Sequence, residues 1–169
     1  YNEYATIGII TRASYDLDEK YYASVSYRRD ASSRFHPDNR WGNFWSVSAA
    51  WDMAKENFIS HIDWINMLKL KASFGQQGND NLLYKGYTNY YPYQDQFTVS
   101  GSEGVFSDGV LFYKGNKDIT WETSNSFNVG VDFALLKGCV DGTIEYFNRQ
   151  TKDMLYYKPV AMSNGYTQF

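Results

Sequence analysis

Apolar and polar residues alternate along much of this chain with a period of two, the pattern of a strand whose successive side chains point to opposite faces. From Tyr21 to Arg29, one face reads Tyr21, Ala23, Val25 and Tyr27 and the other Tyr22, Ser24, Ser26 and Arg28. Trp45, Val47, Ala49 and Trp51 alternate with Ser46, Ser48, Ala50 and Asp52. Leu68, Leu70, Ala72 and Phe74 alternate with Lys69, Lys71, Ser73 and Gly75. Phe127, Val129, Val131 and Phe133 alternate with Asn128, Gly130 and Asp132. Val140, Gly142, Ile144 and Tyr146 alternate with Asp141, Thr143, Glu145 and Phe147. An opening strand, Thr6 to Tyr15, sets Ile7, Ile9, Thr11 and Ala13 against Gly8, Ile10, Arg12 and Ser14. The pattern predicts an all-β, antiparallel chain of about six strands.

Strand length and loop asymmetry narrow the architecture. Several strands run to about ten residues, the length a tilted membrane-crossing strand needs, whereas strands of soluble proteins are usually about five or six. The links Asp16–Lys20 and Leu135–Gly138 are short, and the links Ala31–Asn43 and Gln76–Ile119 are long. Short turns at one end and long loops at the other are the pattern of a transmembrane β-barrel wall. The link Ala54–Asn66 falls on the short-turn side and is expected to hold a brief helical turn near Phe58–Trp64. Tyr15, Tyr21, Tyr22, Trp45, Trp51, Trp121, Phe133 and Tyr146 stand near strand ends, where a barrel places its interfacial aromatic girdles. The alternative is a soluble β-sandwich that binds carbohydrate through Tyr and Trp, whose alternation would end after about five or six residues.

Composition agrees with long strands. Only three of the 169 residues are Pro, and aromatic residues make up 19%. Sixteen Lys and Arg stand against 19 Asp and Glu, a net charge of −3. That balance gives no basic footprint for nucleic acid and no polybasic lipid anchor. The mean hydropathy of −0.54 does not exclude a membrane barrel, whose strands average lipid-facing with lumen-facing residues. The chain opens at Tyr1, which fits an internal segment better than a processed start.

The candidate chemistry is sparse. His36 and His61 lie in different links without a second ligand at metal spacing. Cys139 is the only cysteine, so no disulfide framework exists, and no flanking signature marks it as a nucleophile. Asp16-Leu17-Asp18 has the opening of a calcium loop, but Lys20 occupies a ligand position and no Gly follows. Gly75 and Gly78 lack the Lys-Ser/Thr of a phosphate loop and are expected to ease a strand exit. No catalytic residue, metal or cofactor is expected. Arg28, Arg29, Asp30 and Arg34 form a charge cluster at a strand end, either a solvated rim or a packed network shaping the outer loops.

The wording of the segments adds a resemblance. Lys20-Tyr21-Tyr22-Ala23-Ser24-Val25-Ser26-Tyr27-Arg28-Arg29-Asp30 runs into Ser32-Ser33-Arg34-Phe35, then Arg40-Trp41-Gly42 and Ser46-Val47-Ser48-Ala49-Ala50-Trp51. Leu68-Lys69-Leu70-Lys71-Ala72-Ser73-Phe74-Gly75, Gly78-Asn79-Asp80 and Ile119-Thr120-Trp121-Glu122 follow. Asn128-Val129-Gly130-Val131-Asp132-Phe133, Glu145-Tyr146-Phe147-Asn148 and Thr151-Lys152-Asp153-Met154-Leu155 close the series. In that order the set resembles the SusC/RagA family of TonB-linked outer-membrane proteins across nearly the whole chain. Ala31 stands where the family usually has Gly, and Trp45 where it has Pro, which the sequence alone places in the geometry of an outer loop.

The resemblance implies one stretch of wall, residues 1–169, within a plugged barrel of roughly 22 strands. It implies TonB-dependent active import of an oligosaccharide or peptide across the bacterial outer membrane; a passive porin is the remaining membrane alternative. The implied partners are a SusD-like surface lipoprotein, TonB acting through an N-terminal part, the substrate and the lipid bilayer. Residues 76–119 then form an extracellular loop. It holds Tyr84, Tyr87, Tyr90, Tyr91, Tyr93, Phe97, Phe106, Phe112 and Tyr113, too many aromatics for a disordered segment. Tyr90, Tyr91 and Tyr93 are the candidate contact residues for substrate or partner, since Tyr offers a flat apolar face and a hydroxyl. The competing role for these rings is packing the loop against its neighbours.

Overall fold

The computed structural model describes residues 3–84, 87–98, 101–102, 105–106 and 110–165. Its frame is one antiparallel sheet of six strands in chain order. They are β1 (Thr6–Leu17), β2 (Tyr21–Ser32), β3 (Trp41–Asp52), β4 (Ile65–Asn79), β5 (Glu122–Leu135) and β6 (Val140–Lys152). The shortest has 12 residues and β4 has 15. At about 3.4 Å per residue, each is long enough to cross a bilayer at a tilt.

The short turns follow from local chemistry. Between β1 and β2, Asp18 and Glu19 take left-handed φ values of 53° and 54°. The Asp16 carboxylate secures the turn by accepting the Glu19 N–H at 3.0 Å, the local bonding that favours Asp in turns. Between β5 and β6, Leu136, Lys137 and Gly138 all have positive φ, a handedness that matches the twist of a tight hairpin. Residues 53–64 join β3 to β4 at this same end. Residues 33–40 and 80–121 form the connections at the other end.

The register sorts the side chains into two faces. Tyr15, Ala23, Ala49, Ala72, Val129 and Tyr146 form one rank across all six strands. One residue along, Ser14, Ser24, Ser48, Ser73, Asn128 and Phe147 form a rank on the opposite face. The first face is apolar and uncovered: Ile9 is 59%, Val25 51% and Ile144 70% exposed. The second carries Ser24–Ser48 and Ser26–Ser46 hydroxyl pairs at 2.8 and 2.7 Å and a Lys71–Asp132 ion pair at 2.8 Å. Ile10, Phe44, Met67 and Phe147 are its large apolar exceptions. A soluble sandwich would bury the apolar face; among the described residues no second sheet covers it.

Several sequence expectations need correction. β4 does not exit at Gly75: it continues to Asn79 because β5 keeps pairing with it through Glu122. The long connection is therefore 80–121 and the other connection at that end 33–40. No regular helix forms at 58–64: the link holds a 3₁₀ turn at Met53–Lys55 and then isolated turns, in which the Glu56 carbonyl accepts the Ser60 N–H and the Ile59 carbonyl the Ile62 N–H, each at 2.8 Å. Tyr22 lies on the polar face, with the Lys69 ammonium 4.3 Å above its ring, and is not a girdle residue. Trp121 is 8% exposed and packs inside. Trp45 and Ala31 belong to strands, not to a loop. Trp45 packs against Phe74 on the apolar face, with ring centres 5.0 Å apart and the planes tilted by 38°.

Candidate functional site at the long-connection end

The sheet comes apart at this end. The β3–β4 ladder stops at Ser46–Gly75, whereas β2–β3 pairing continues to Ala31–Trp41 and β4–β5 pairing to Asn79–Glu122. Three aromatic side chains fill the gap. Phe35, Phe44 and Trp121 form a buried cluster, with Phe35 and Phe44 each 5.4 Å from Trp121 between ring centres. Gly78 makes room for this wedge, since a Cβ there would run into the Phe44 ring. Gly42 does the same: its Cβ would lie 2.6 Å from Phe44. These glycines permit close approach.

Side chains bridge the opened seam. The Trp121 indole N–H donates to the Arg40 carbonyl at 2.9 Å, and the Asn39 amide donates to the Lys117 carbonyl at 2.9 Å. The principal junction is Asp80, the first residue after β4. One carboxylate oxygen, Oδ2, accepts the Ser32 hydroxyl at 2.6 Å and the Tyr4 hydroxyl at 2.9 Å. The other, Oδ1, pairs with Arg34 at 3.2 Å. Burial and the Asp80 carboxylate push the Tyr4 phenol above its ordinary value.

The charge cluster at the end of β2 thus divides. Asp30 and Arg34 are 7% and 8% exposed, so they belong to a packed network. Arg28 reaches back to Asp30 at 2.6 Å and is largely exposed. Arg29 lies over Trp41 at 4.7 Å.

The candidate contact residues sit directly above this junction. The Arg34 guanidinium lies 4.2 Å from the Tyr4 ring centre and 5.5 Å from that of Tyr90. Tyr93 meets His36 edge-on at 5.9 Å, and the Tyr91 hydroxyl accepts the Glu3 N–H at 3.3 Å. All three tyrosines are half-buried, so each ring has one packed side and some free surface. The sequence did not single out Tyr4 or Asp80 as organisers of this region; Gly78-Asn79-Asp80 stood out only as a motif.

The rest of the connection has its own packing. Short strand pairs join 83–84 to 87–88, 96–98 to 110–113 and 101–102 to 105–106. Tyr113 is 1% exposed and its hydroxyl donates to the Pro92 carbonyl at 2.9 Å; burial raises that phenol well above its ordinary range. The Asp95 carboxylate accepts the Gly115 N–H at 2.8 Å and pairs with Lys114 at 3.0 Å, and these contacts lower its pKa. Phe97 is exposed. The side chains of Tyr84, Tyr87, Phe106 and Phe112 lie outside the described residues.

Below the junction, the polar face forms an open trough of about 560 Å³, lined by Ser24, Ser48, Ser73, Asn128, Lys71 and Glu145 among others. Its hydroxyls, amide and paired charges offer hydrogen bonds without a dominant sign of charge. His36 pairs with Asp38 at 3.3 Å, and Cys139 is exposed at the opposite end.

Comparison with known proteins fits this geometry. Residues 1–169 match the family model described as TonB dependent receptor-like, beta-barrel. The chain is 32% identical over 164 residues to the TonB-dependent receptor P39 of Formosa agariphila, covering 97% of this chain and 15% of that protein. It is 31% identical over 150 residues to the TonB-dependent receptor SusC of Bacteroides thetaiotaomicron, covering 85% of this chain and 14% of that one. Among solved structures, the RagAB peptide transporter superposes with a TM-score of 0.84 at 30% identity, over 98% of this chain and 18% of the other. The RagAB peptide importer in its closed-closed state gives 0.85 at the same identity and coverage. The chain therefore spans less than a fifth of the length of each of these relatives.

Proposed function

The chain belongs to the TonB-dependent receptor-like β-barrel family, and from that premise we propose that it forms part of an outer-membrane transporter importing an oligosaccharide or peptide by TonB-coupled active uptake. The observation that carries this reading is the register. It collects the apolar residues of six long strands on one uncovered face and the hydroxyls and charges on the other. In a bilayer the first face meets lipid and the second lines the lumen. Closure with further strands satisfies the backbone groups at the β1 and β6 edges, which hydrocarbon would otherwise leave unpaired.

In this reading the end bearing residues 33–40 and 80–121 faces outside. Tyr90, Tyr91 and Tyr93 meet the arriving substrate or a SusD-like lipoprotein there. TonB acts through another part of the transporter. The role is binding and passage, with no covalent chemistry and no resident cofactor. The names of the RagAB structures speak of peptides for that protein, which makes peptide one of the two substrate classes to test here.

The test is uptake by cells carrying or lacking the full transporter gene. Deletion should abolish uptake of labelled oligosaccharides or peptides and spare their monomers, and a protonophore should stop oligomer uptake in intact cells. Oligomer uptake that persists without the gene, or without a proton gradient, contradicts the proposal.

A further inference from the structure

Backbone pairing carries no positional information across the seam between β3 and β4 beyond Ser46–Gly75. Whatever fixes residues 33–40 relative to 80–93 must therefore run through side chains. The pairs at Asn39–Lys117 and Arg40–Trp121 hold the far end of the long connection. Its near end, which carries the tyrosine run, is held through Asp80.

We propose that Asp80 is the positioning residue for the Tyr90–Tyr93 run, acting through the Arg34 guanidinium. Its carboxylate gathers three segments that are distant in sequence: Tyr4 ahead of β1, Ser32 at the end of β2, and Arg34 in the 33–40 connection. The same arginine N–H group that meets the carboxylate also reaches the Asp80 carbonyl and the Asn81 side chain, each at 3.3 Å. These bonds fix the guanidinium plane. The rings of Tyr4 and Tyr90 both lie within cation–π range of that guanidinium, at 4.2 and 5.5 Å, and meet each other edge-on at 6.4 Å. From Tyr90 the order passes along the run, because the Asn89 side chain accepts the Tyr91 N–H at 3.0 Å and the Gln96 amide at 2.8 Å. Tyr93 rests on His36, two residues beyond Arg34. Both ends of the run thus rest on the 33–40 connection, and Asp80 holds that connection to β4.

Burial makes the dependence steep. Arg34 is 8% exposed and its Nε has no hydrogen-bond partner among the described residues. Removing the Asp80 charge leaves a buried cation without its counter-ion, which is strongly disfavoured. Arg34 should then swing toward water and leave Tyr90. Lysine at position 34 separates the two functions of the arginine. It keeps the ion pair with Asp80 but replaces the broad, delocalised cation that both rings face with a compact ammonium.

The proposal relies on the transport reading only for calling the tyrosine run a recognition element, and its test needs neither substrate nor partner. Hydrogen exchange is measured on the full-length transporter in detergent or nanodiscs, with Glu19→Gln as a control that removes the Lys55 ion pair at the opposite end instead. Asp80→Asn should speed exchange at residues 33–40 and 88–97 by about tenfold or more, with β1–β6 unchanged. Arg34→Lys should loosen 88–97 alone, which a purely structural role for the ion pair would not produce. If Asp80→Asn fails to assemble, Tyr4→Phe removes one hydrogen bond to Asp80 while keeping the ring, and it should give the same shift at 88–97 in weaker form. Unchanged protection of 88–97 in the assembled variants, or equal loosening by Glu19→Gln, overturns the proposal. Impaired uptake with no change in exchange would leave the transport reading intact and sink this one.

Discussion

Val129 and Asn128 are chain neighbours on opposite faces of the wall. Val129 pairs with Ala72 and Tyr146 in the apolar rank, whereas the Asn128 amide reaches the Ser73 hydroxyl at 3.4 Å on the polar side. Arginine at 129 would hold a charge in hydrocarbon, at a cost of roughly 2–4 kcal/mol near mid-depth. Val129→Arg should therefore block membrane assembly of the full protein, and Asn128→Arg should assemble normally. Heat-modifiable migration on gels reports assembly. Equal behaviour of the two variants contradicts the register.

The wedge at the seam makes a second prediction. A methyl group at Gly78 collides with the rigid Phe44 ring, which Trp121 and Phe35 hold in place. Overpacking of this kind costs about 1–3 kcal/mol. Gly78→Ala should lower the urea midpoint of refolded barrels, and adding Phe44→Leu should recover part of the loss. A double variant no more stable than Gly78→Ala alone would show that the ring is not the obstacle.

Glu56 offers a pH-dependent test at the other end. Its carboxylate accepts the Tyr21 hydroxyl at 2.6 Å and the Trp51 indole N–H at 3.3 Å, and it pairs with Lys20 at 3.5 Å. These contacts, the tyrosine bond foremost, hold its pKa below the ordinary glutamate value. The folded state thus favours the ionised form. The contribution is fully present above the unfolded value of about 4.3 and is lost as pH falls through the lower folded value. Exchange of residues 53–62, corrected for intrinsic rates, should rise below about pH 4 in the native protein. In Glu56→Gln it should be raised already at neutral pH and stay flat. Identical pH profiles for the two proteins would remove Glu56 from the account.

What the sequence revealed, and what it hid, follows from the range of each interaction. Faces were legible because alternation is local: Trp45, Val47, Ala49 and Trp51 face the same way in any regular strand, whatever its partners. Strand ends were not. Gly75 and Gly78 look like breakers, yet β4 continues through both because β5 supplies partners as far as Glu122. Trp121 read as a rim aromatic because nothing nearby in the chain announces Phe35 and Phe44 as its neighbours. The Asp80 junction was invisible for the same reason. Its partners Tyr4, Ser32 and Arg34 lie 76, 48 and 46 residues away. Tyr90, Tyr91 and Tyr93 were legible as a dense aromatic run, but their seating on Arg34 and His36 was not.

The tyrosine run itself can be tested in the full transporter by changing Tyr90, Tyr91 and Tyr93 to Ala. Assembly should be normal, since the sheet ladder does not pass through the run. Partner binding or uptake should fall by about tenfold or more, as expected when aromatic contacts at the centre of an interface are removed. Failed assembly would assign these rings to packing, and unchanged binding and uptake would remove them from the site.

The most direct measurement of the wall itself is a spin-label scan along β5. Single cysteines from Ser124 to Phe133, placed in the full-length protein with Cys139 changed to Ser, are labelled and reconstituted in lipid. Their accessibilities to oxygen and to a water-soluble nickel reagent are then compared. A membrane wall predicts alternation with a period of two. Phe127, Val129, Val131 and Phe133 should be oxygen-accessible and shielded from nickel, and Ser126, Asn128, Gly130 and Asp132 should show the opposite. A scan without alternation, or nickel access at Val129 and Val131, would contradict the account.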